Sequence, residues 1–270
     1  MSGEMRPPRW PLGMIVPVQD PTPFSPFSPG EWKRALPQLV QAGYQVVELA
    51  VTDPAPLEGA EVAAAVGAAG LRLCSLTTGQ AAAKEGLSLS AEEEAMRERA
   101  VERICAHMRL AKPHGAVVIV GSLRGQAGSP GLLVDSLRAC AAFDRSVRLA
   151  LEPLNRYESR LVNTVADALT VVERVGADNL GLLVDTFHAN IEERLIGDAF
   201  RAAGDRLFHV HLADSNRWPP GQGHLSFSEV AGALAASGYA GALVVEAFPK
   251  PDPAAALALP HSAGRWFAPG

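Results

Sequence analysis

The chain has 270 residues, 48% of them hydrophobic, with 25 Gly, 21 Pro, a net charge of −5 and a pI near 5.8. This length exceeds a typical domain yet fits one barrel of eight βα units, which consumes about 250 residues, so a single domain is the expected count. The acidic balance removes the basic field that phosphate-backbone binders need and argues against nucleic acid, and a mean hydropathy of +0.09 is far from that of a membrane protein.

Residues 1–12 are expected to be an N-terminal extension. Met1 to Trp10 carries Glu4, Arg6 and Arg9 with no apolar signal-peptide core, and no later apolar run approaches a membrane span, so a cytoplasmic location is the default. Hydrophobic periodicity then gives eight short strands alternating with helical stretches, the pattern of a parallel sheet. The first two strands are Gly13 to Val18 and Gln45 to Ala50. Between them Ser28-Pro29-Gly30-Glu31 has the order of a helix start, with cap, proline and glutamate. Glu48, inside the second strand, is expected to make structural hydrogen bonds.

Arg72 to Leu76 is the third strand, followed by a longer insertion, Thr77 to Leu89, and a second capping-box pattern at Ser90-Ala91-Glu92-Glu93. His107 and His114, in or beside the next helix, are given no site role. Cys74, Cys105 and Cys140 are odd in number and have no C-x-x-C pair, which points to buried reduced thiols. The remaining strands are Val117 to Val120, Arg148 to Leu151, Leu180 to Val184, Phe208 to Leu212 and Ala242 to Val245. A polar loop, Ala213 to Leu225, leaves the seventh. A short last helix around Pro253 to Leu259 closes a barrel domain over 13–260. The tail, 261–270, with Trp266 and Phe267, is expected to pack back or to meet a partner, which leaves a homo-oligomer open.

Four residues stand at or just after the ends of strands five to eight: Glu152, Asp185, His211 and Glu246. Their spacing of 26 to 35 residues is what a strand, a helix and two loops consume. In a parallel barrel such strand ends converge on one mouth. Three carboxylates and an imidazole there make a plausible site for one divalent metal, with Mn²⁺, Mg²⁺ or Co²⁺ suiting the oxygen and nitrogen set and Zn²⁺ also accepting it. Two of the four, Glu152 and Glu246, would approach a bound molecule from different sides. With a cation stabilising an enediolate between a carbonyl and its neighbouring hydroxyl, one glutamate could remove a carbon-bound proton and the other return it on the opposite face. His188, Glu158, Arg217 and Arg124 lie in the loops around them, and the two arginines suit substrate oxygens or a carboxylate. Two guanidiniums in one cleft favour an acidic sugar. His209, deeper on the same strand face as His211, is expected to be a satisfied core histidine.

At Glu152-Pro-Leu-Asn-Arg-Tyr-Glu158, Asp185-Thr-Phe-His188, His211-Leu-Ala-Asp-Ser-Asn-Arg217, Pro220-Gly-Gln-Gly223 and Val245-Glu246 the chain resembles the xylose-isomerase-like superfamily of TIM barrels. The likeness is to its ketose 3-epimerase and hydroxypyruvate isomerase group. Gly79-Gln80, Gly86-Leu-Ser-Leu89 and Asn190-Ile-Glu-Glu193 bring it nearest to the 5-keto-L-gluconate epimerase branch. The resemblance implies a (β/α)8 barrel and a metal-dependent epimerase or isomerase of a keto-sugar or keto-sugar acid. It puts the metal ligands on Glu152, Asp185, His211 and Glu246, the proton-transfer pair on the two glutamates, and substrate contacts on Glu158, His188 and Arg217. Val16 to Gln19 lack the aromatic residues that several such epimerases carry, and Pro260 is expected to interrupt the final helix. Apurinic endonucleases share the barrel but use extra histidines where this chain has Ala50 to Asp53, Thr77 to Gly79 and Gly121 to Ser122. A non-catalytic sugar-binding protein would have no use for the paired glutamates.

Overall fold

The structure is a computed structural model that describes residues 9–268. Eight strands form a closed parallel barrel in sequence order. They are β1 (Leu12–Pro17), β2 (Val46–Ala50), β3 (Arg72–Thr77), β4 (Val117–Val120), β5 (Leu149–Leu151), β6 (Leu180–Asp185), β7 (Leu207–Leu212) and β8 (Leu243–Val245). Nearly every strand residue is buried. Strands covered on both faces must be apolar throughout, which is why these segments read as Val, Ile and Leu runs instead of alternating.

The helices are α1 (Trp32–Gln41), α2 (Gly59–Ala68), α3 (Gly79–Glu85), α4 (Glu94–Ala111), α5 (Pro130–Phe143), α6 (Val165–Val175), α7 (Thr186–Glu192), α8 (Ile196–Ala203), α9 (Phe227–Ala236), α10 (Pro253–Leu257) and α11 (Leu259–Phe267). Thr164 caps α6 through a complete capping box with Asp167. The two capping boxes expected earlier in the chain do not form. Gly30 adopts a left-handed φ of 78° and delays α1 to Trp32, and the Ser90 hydroxyl donates to the Ala127 carbonyl instead of capping α4. The insertion after β3 is itself partly helical, as α3.

The expected tail is a correction of another kind. Pro260 interrupts the final helical run as expected, since α10 ends at Leu257 and the chain turns at Ala258, but the proline then sits in the first turn of a further helix, α11, where its missing N–H costs nothing. Phe267 of that helix is fully buried, lies edge-on to Trp10, and accepts the Arg9 N–H at its carbonyl. Residues 9–11 thereby pack against the barrel, whereas the rest of the expected extension, 1–8, lies outside the described residues. All three cysteines are buried and free. Among the described residues no helix is long and apolar enough to cross a membrane.

Candidate active site

Glu152 and Glu246 each continue the ladder one residue past their strand, through N–H bonds to the Val120 and Leu212 carbonyls at 3.1 and 3.3 Å. Asp185 ends β6 and pairs in register with His211 of β7. This shared level brings one ligand atom from each of the four within 4.8 Å of all the others, and all four side chains are buried. Gly121, at the end of β4, makes room: a Cβ there would come within 2.5 Å of the Glu152 carboxylate.

His211 Nδ1 faces three carboxylate oxygens, Glu246 Oε2 at 3.4 Å, Glu152 Oε1 at 3.9 Å and Asp185 Oδ2 at 4.0 Å. Neither Nδ1 nor Glu152 Oε1 has a hydrogen-bond partner although both are buried. A ring nitrogen and a carboxylate oxygen left unpaired side by side are costly without a cation between them. The four residues therefore fit a divalent metal, by convergence, donor chemistry and orphaned atoms together. Glu48, His209 and His211 form a second close group, in which hydrogen bonds to Glu48 account for the proximity. Glu48 thus makes the structural bonds expected of it.

Electrostatics follow from burial and from the neighbours. Burial, reinforced by Glu246, pushes the Glu152 carboxyl up to about 8. Burial opposes ionisation of Asp185 too, but the Arg217 guanidinium holds its carboxyl below the ordinary range. His211 is likewise desolvated, yet Glu48 and Glu246 keep it well above the usual imidazole value. Burial drives His188 down to about 4, which keeps it neutral.

Arg217 donates to Asp185 Oδ2 at 2.5 Å and to Glu246 Oε2, and its guanidinium stacks on Phe24 and Phe187 at 4.5 and 4.9 Å from the ring centres. Its φ of 63° lies in the left-handed region, which costs a non-glycine residue about 1–2 kcal/mol. The loop that holds it there is organised by Asp214, whose carboxylate accepts the N–H groups of Ser215, Gly221 and Leu225. His188 Nδ1 faces the Asn155 side-chain amide at 2.8 Å, and Asn155 also donates to Glu158. An acceptor at Nδ1 puts the proton on Nε2, the nitrogen turned toward Glu152.

These groups line one cavity of about 210 Å³, with Phe24, Gln80, Ser122, Glu158, His188 and Arg217 around Glu152 and Glu246. Of the residues expected to contact substrate, Glu158, His188 and Arg217 are thereby brought together. Arg124 is not. It is fully buried behind the wall, with guanidinium donors on the Leu161 carbonyl at 2.7 and 3.1 Å and on the Val162 carbonyl at 3.1 Å. Burial lowers it to about 10. It anchors the loop after β5 and offers no donor to the cavity, which corrects the expected two-arginine clamp. Missed altogether were Phe24, carried by a proline-rich stretch far past the first strand, and Asn155, whose position between Glu152 and Glu158 was the available signal.

Barrel and ligand set together define a single-domain barrel enzyme scaffold with a metal-type centre at the C-terminal mouth. The chain belongs to the xylose isomerase-like TIM barrel family, whose pattern matches residues 36–262. It is 32% identical over 236 residues to L-ribulose 3-epimerase of Mesorhizobium japonicum, covering 81% of this chain and 76% of that one. It is 46% identical to D-psicose 3-epimerase of Enterocloster bolteae over 107 residues, 40% of this chain, and so spans only 36% of that relative. The structure of D-psicose 3-epimerase with D-tagatose from Clostridium cellulolyticum H10 superposes with a TM-score of 0.77 at 27% identity, over 89% of this chain and 86% of that one.

Proposed function

We propose that this protein is a divalent-metal-dependent epimerase of a neutral keto-sugar. The observation that carries the proposal is the convergence of Glu152, Asp185, His211 and Glu246 beside a small cavity that Glu152 and Glu246 themselves line. A cation held there, Mn²⁺, Mg²⁺ or Co²⁺ by donor type, supplies Lewis-acid chemistry that makes a proton next to a carbonyl easier to remove. Glu152 and Glu246, from β5 and β8, take and return that proton on opposite faces of the carbon. His188 directs its Nε2–H at a substrate oxygen, and Glu158 and Arg217 bind hydroxyls at the same wall. The cavity over the cluster is small and carries several convergent polar groups, which suits a monosaccharide.

Two features favour a neutral substrate over the acidic sugar expected from the sequence. Arg124 is occupied by backbone carbonyls, and Arg217 is paired with Asp185 and Glu246. The relatives are named for neutral ketoses.

The test is turnover of D-fructose, D-tagatose and 5-keto-L-gluconate with each of the three metals and with excess chelator. Neutral ketoses are expected to be epimerised only with metal, with deuterium from heavy water at the inverted carbon. Glu246→Gln should keep the metal and lose about 10²- to 10⁴-fold in kcat, the usual worth of a general acid–base group. Full activity in chelator, or an unimpaired Glu246→Gln enzyme, refutes the proposal.

A further inference from the structure

Glu48 is a buried carboxylate of the barrel interior that is neither one of the four candidate ligands nor part of the proton-transfer pair. It comes from β2, is fully buried, and reaches through the barrel interior to two histidines of β7. Its Oε2 lies 3.0 Å from His209 Nε2, 3.1 Å from His211 Nε2 and 2.5 Å from the Ser75 hydroxyl. Ser75 pairs with Glu48 in the β2–β3 register, so the hydroxyl beside the carboxylate is fixed by the sheet itself. The other oxygen, Oε1, has no partner.

An ionised carboxylate only accepts hydrogen bonds, so both imidazoles must present Nε2–H to it. In the neutral ring that a metal requires, this leaves Nδ1 as the lone pair of His211, and Nδ1 is the atom aimed at Glu152, Asp185 and Glu246. His209 and Ser75, which belong to neither the ligand cluster nor the cavity, hold the same oxygen of Glu48. Metal-ligating imidazoles characteristically donate their second N–H to a carboxylate, which fixes both tautomer and ring orientation.

We propose that Glu48 is the positioning residue of the metal centre: it locks His211 in the Nε2–H tautomer with Nδ1 directed at the cation. The proposal rests on Glu152, Asp185, His211 and Glu246 being the metal ligands. Glu48 itself touches neither cation nor substrate. An amide in its place has one acceptor oxygen for three donors, and its –NH₂ would favour the opposite tautomer of whichever imidazole it met.

The decisive measurement is the Mn²⁺ dissociation constant at one fixed pH, by competition with a chromophoric chelator, for the full chain and for Glu48→Gln. Loss of such a partner costs about 10- to 100-fold in metal affinity, and that weakening is expected in a variant that still unfolds cooperatively without metal. ¹⁵N-histidine NMR of the wild-type protein loaded with Mg²⁺ should find His211 protonated at Nε2, a readout that stands even if Glu48→Gln fails to fold. A folded Glu48→Gln with wild-type affinity, or a His211 proton on Nδ1 in the loaded protein, overturns the proposal while leaving the ligand set intact. A wild-type chain that binds no Mn²⁺ removes the ligand set itself and this proposal with it.

Discussion

Replacing Arg217 with Met should make the protein's stability depend on metal. The side chain is 5% exposed and its guanidinium joins Asp185 at 2.5 Å to Glu246 between the rings of Phe24 and Phe187. Methionine preserves the apolar stem and removes the charge. Deleting one partner of a buried ion pair strands the other, at a cost of about 3–5 kcal/mol. At about 2–4 °C per kcal/mol for a chain of this size, the unfolding midpoint in excess chelator should fall by about 6–20 °C. A divalent ion at about one hundred times its Kd adds about 2.7 kcal/mol, and it should bind the variant more tightly than the wild type, because the stranded Asp185 and Glu246 carboxylates gain a counter-charge from it, so part of the deficit should return. Scanning calorimetry of both proteins with chelator and with Mn²⁺ measures all four midpoints. A fall below about 2 °C in chelator, or a deficit that Mn²⁺ leaves unchanged, would refute the assignment of Arg217 as the counter-ion of the ligand cluster.

Arg124→Met should destabilise by about 2–5 kcal/mol, since it strands the buried Leu161 and Val162 carbonyls, and should lower activity toward neutral and acidic sugars alike; selective loss of an acidic substrate would restore the carboxylate clamp. Stability of the metal-free protein should fall as pH rises from about 6.5 to about 8, since Glu152, raised to about 8, holds a proton that the unfolded chain has already released, and His211, also raised, acts in the same direction; chemical denaturation at pH 6.5 and 8 in chelator checks the sign. His188, depressed to about 4, acts only below that window. Phe267→Ala should cost about 3–5 kcal/mol in urea unfolding, as for a large core aromatic; a change under 1 kcal/mol would return α11 to the status of a loose tail.

The barrel was legible because its strands are buried on both faces and so announce themselves as short β-branched and Leu-rich runs at βα spacing. The ligand set was legible for a related reason: a charged residue at the end of such a run has few places to point. Helix starts were read less well. Ser90 has the right sequence for a cap, but its hydroxyl is claimed by the Ala127 carbonyl, a contact 37 residues away that no local pattern encodes. A proline that breaks one helix can also open the next, so the sequence around Pro260 shows the break but not the helix α11 that follows it.

Arg124 and Arg217 show where sequence reasoning about charge stops. Both leave strand ends toward the mouth, yet a short turn after β4 lays one guanidinium on backbone carbonyls, while the left-handed backbone at residue 217 delivers the other to two carboxylates. A guanidinium's position along the chain is visible in the sequence; its partner is not. The partners decide the substrate. Glu152, Asp185 and Glu246, when ionised, carry three negative charges, which Arg217 and one divalent cation would match, and Glu48 beneath His211 is a further buried anion. Glu158 at the rim adds a further anion. A substrate carboxylate would enter this low-dielectric space with no cation left to meet it, at the cost of its full desolvation, whereas hydroxyls can donate to the carboxylates and accept from His188. This charge balance is the physical ground on which we propose a neutral keto-sugar over an anionic one.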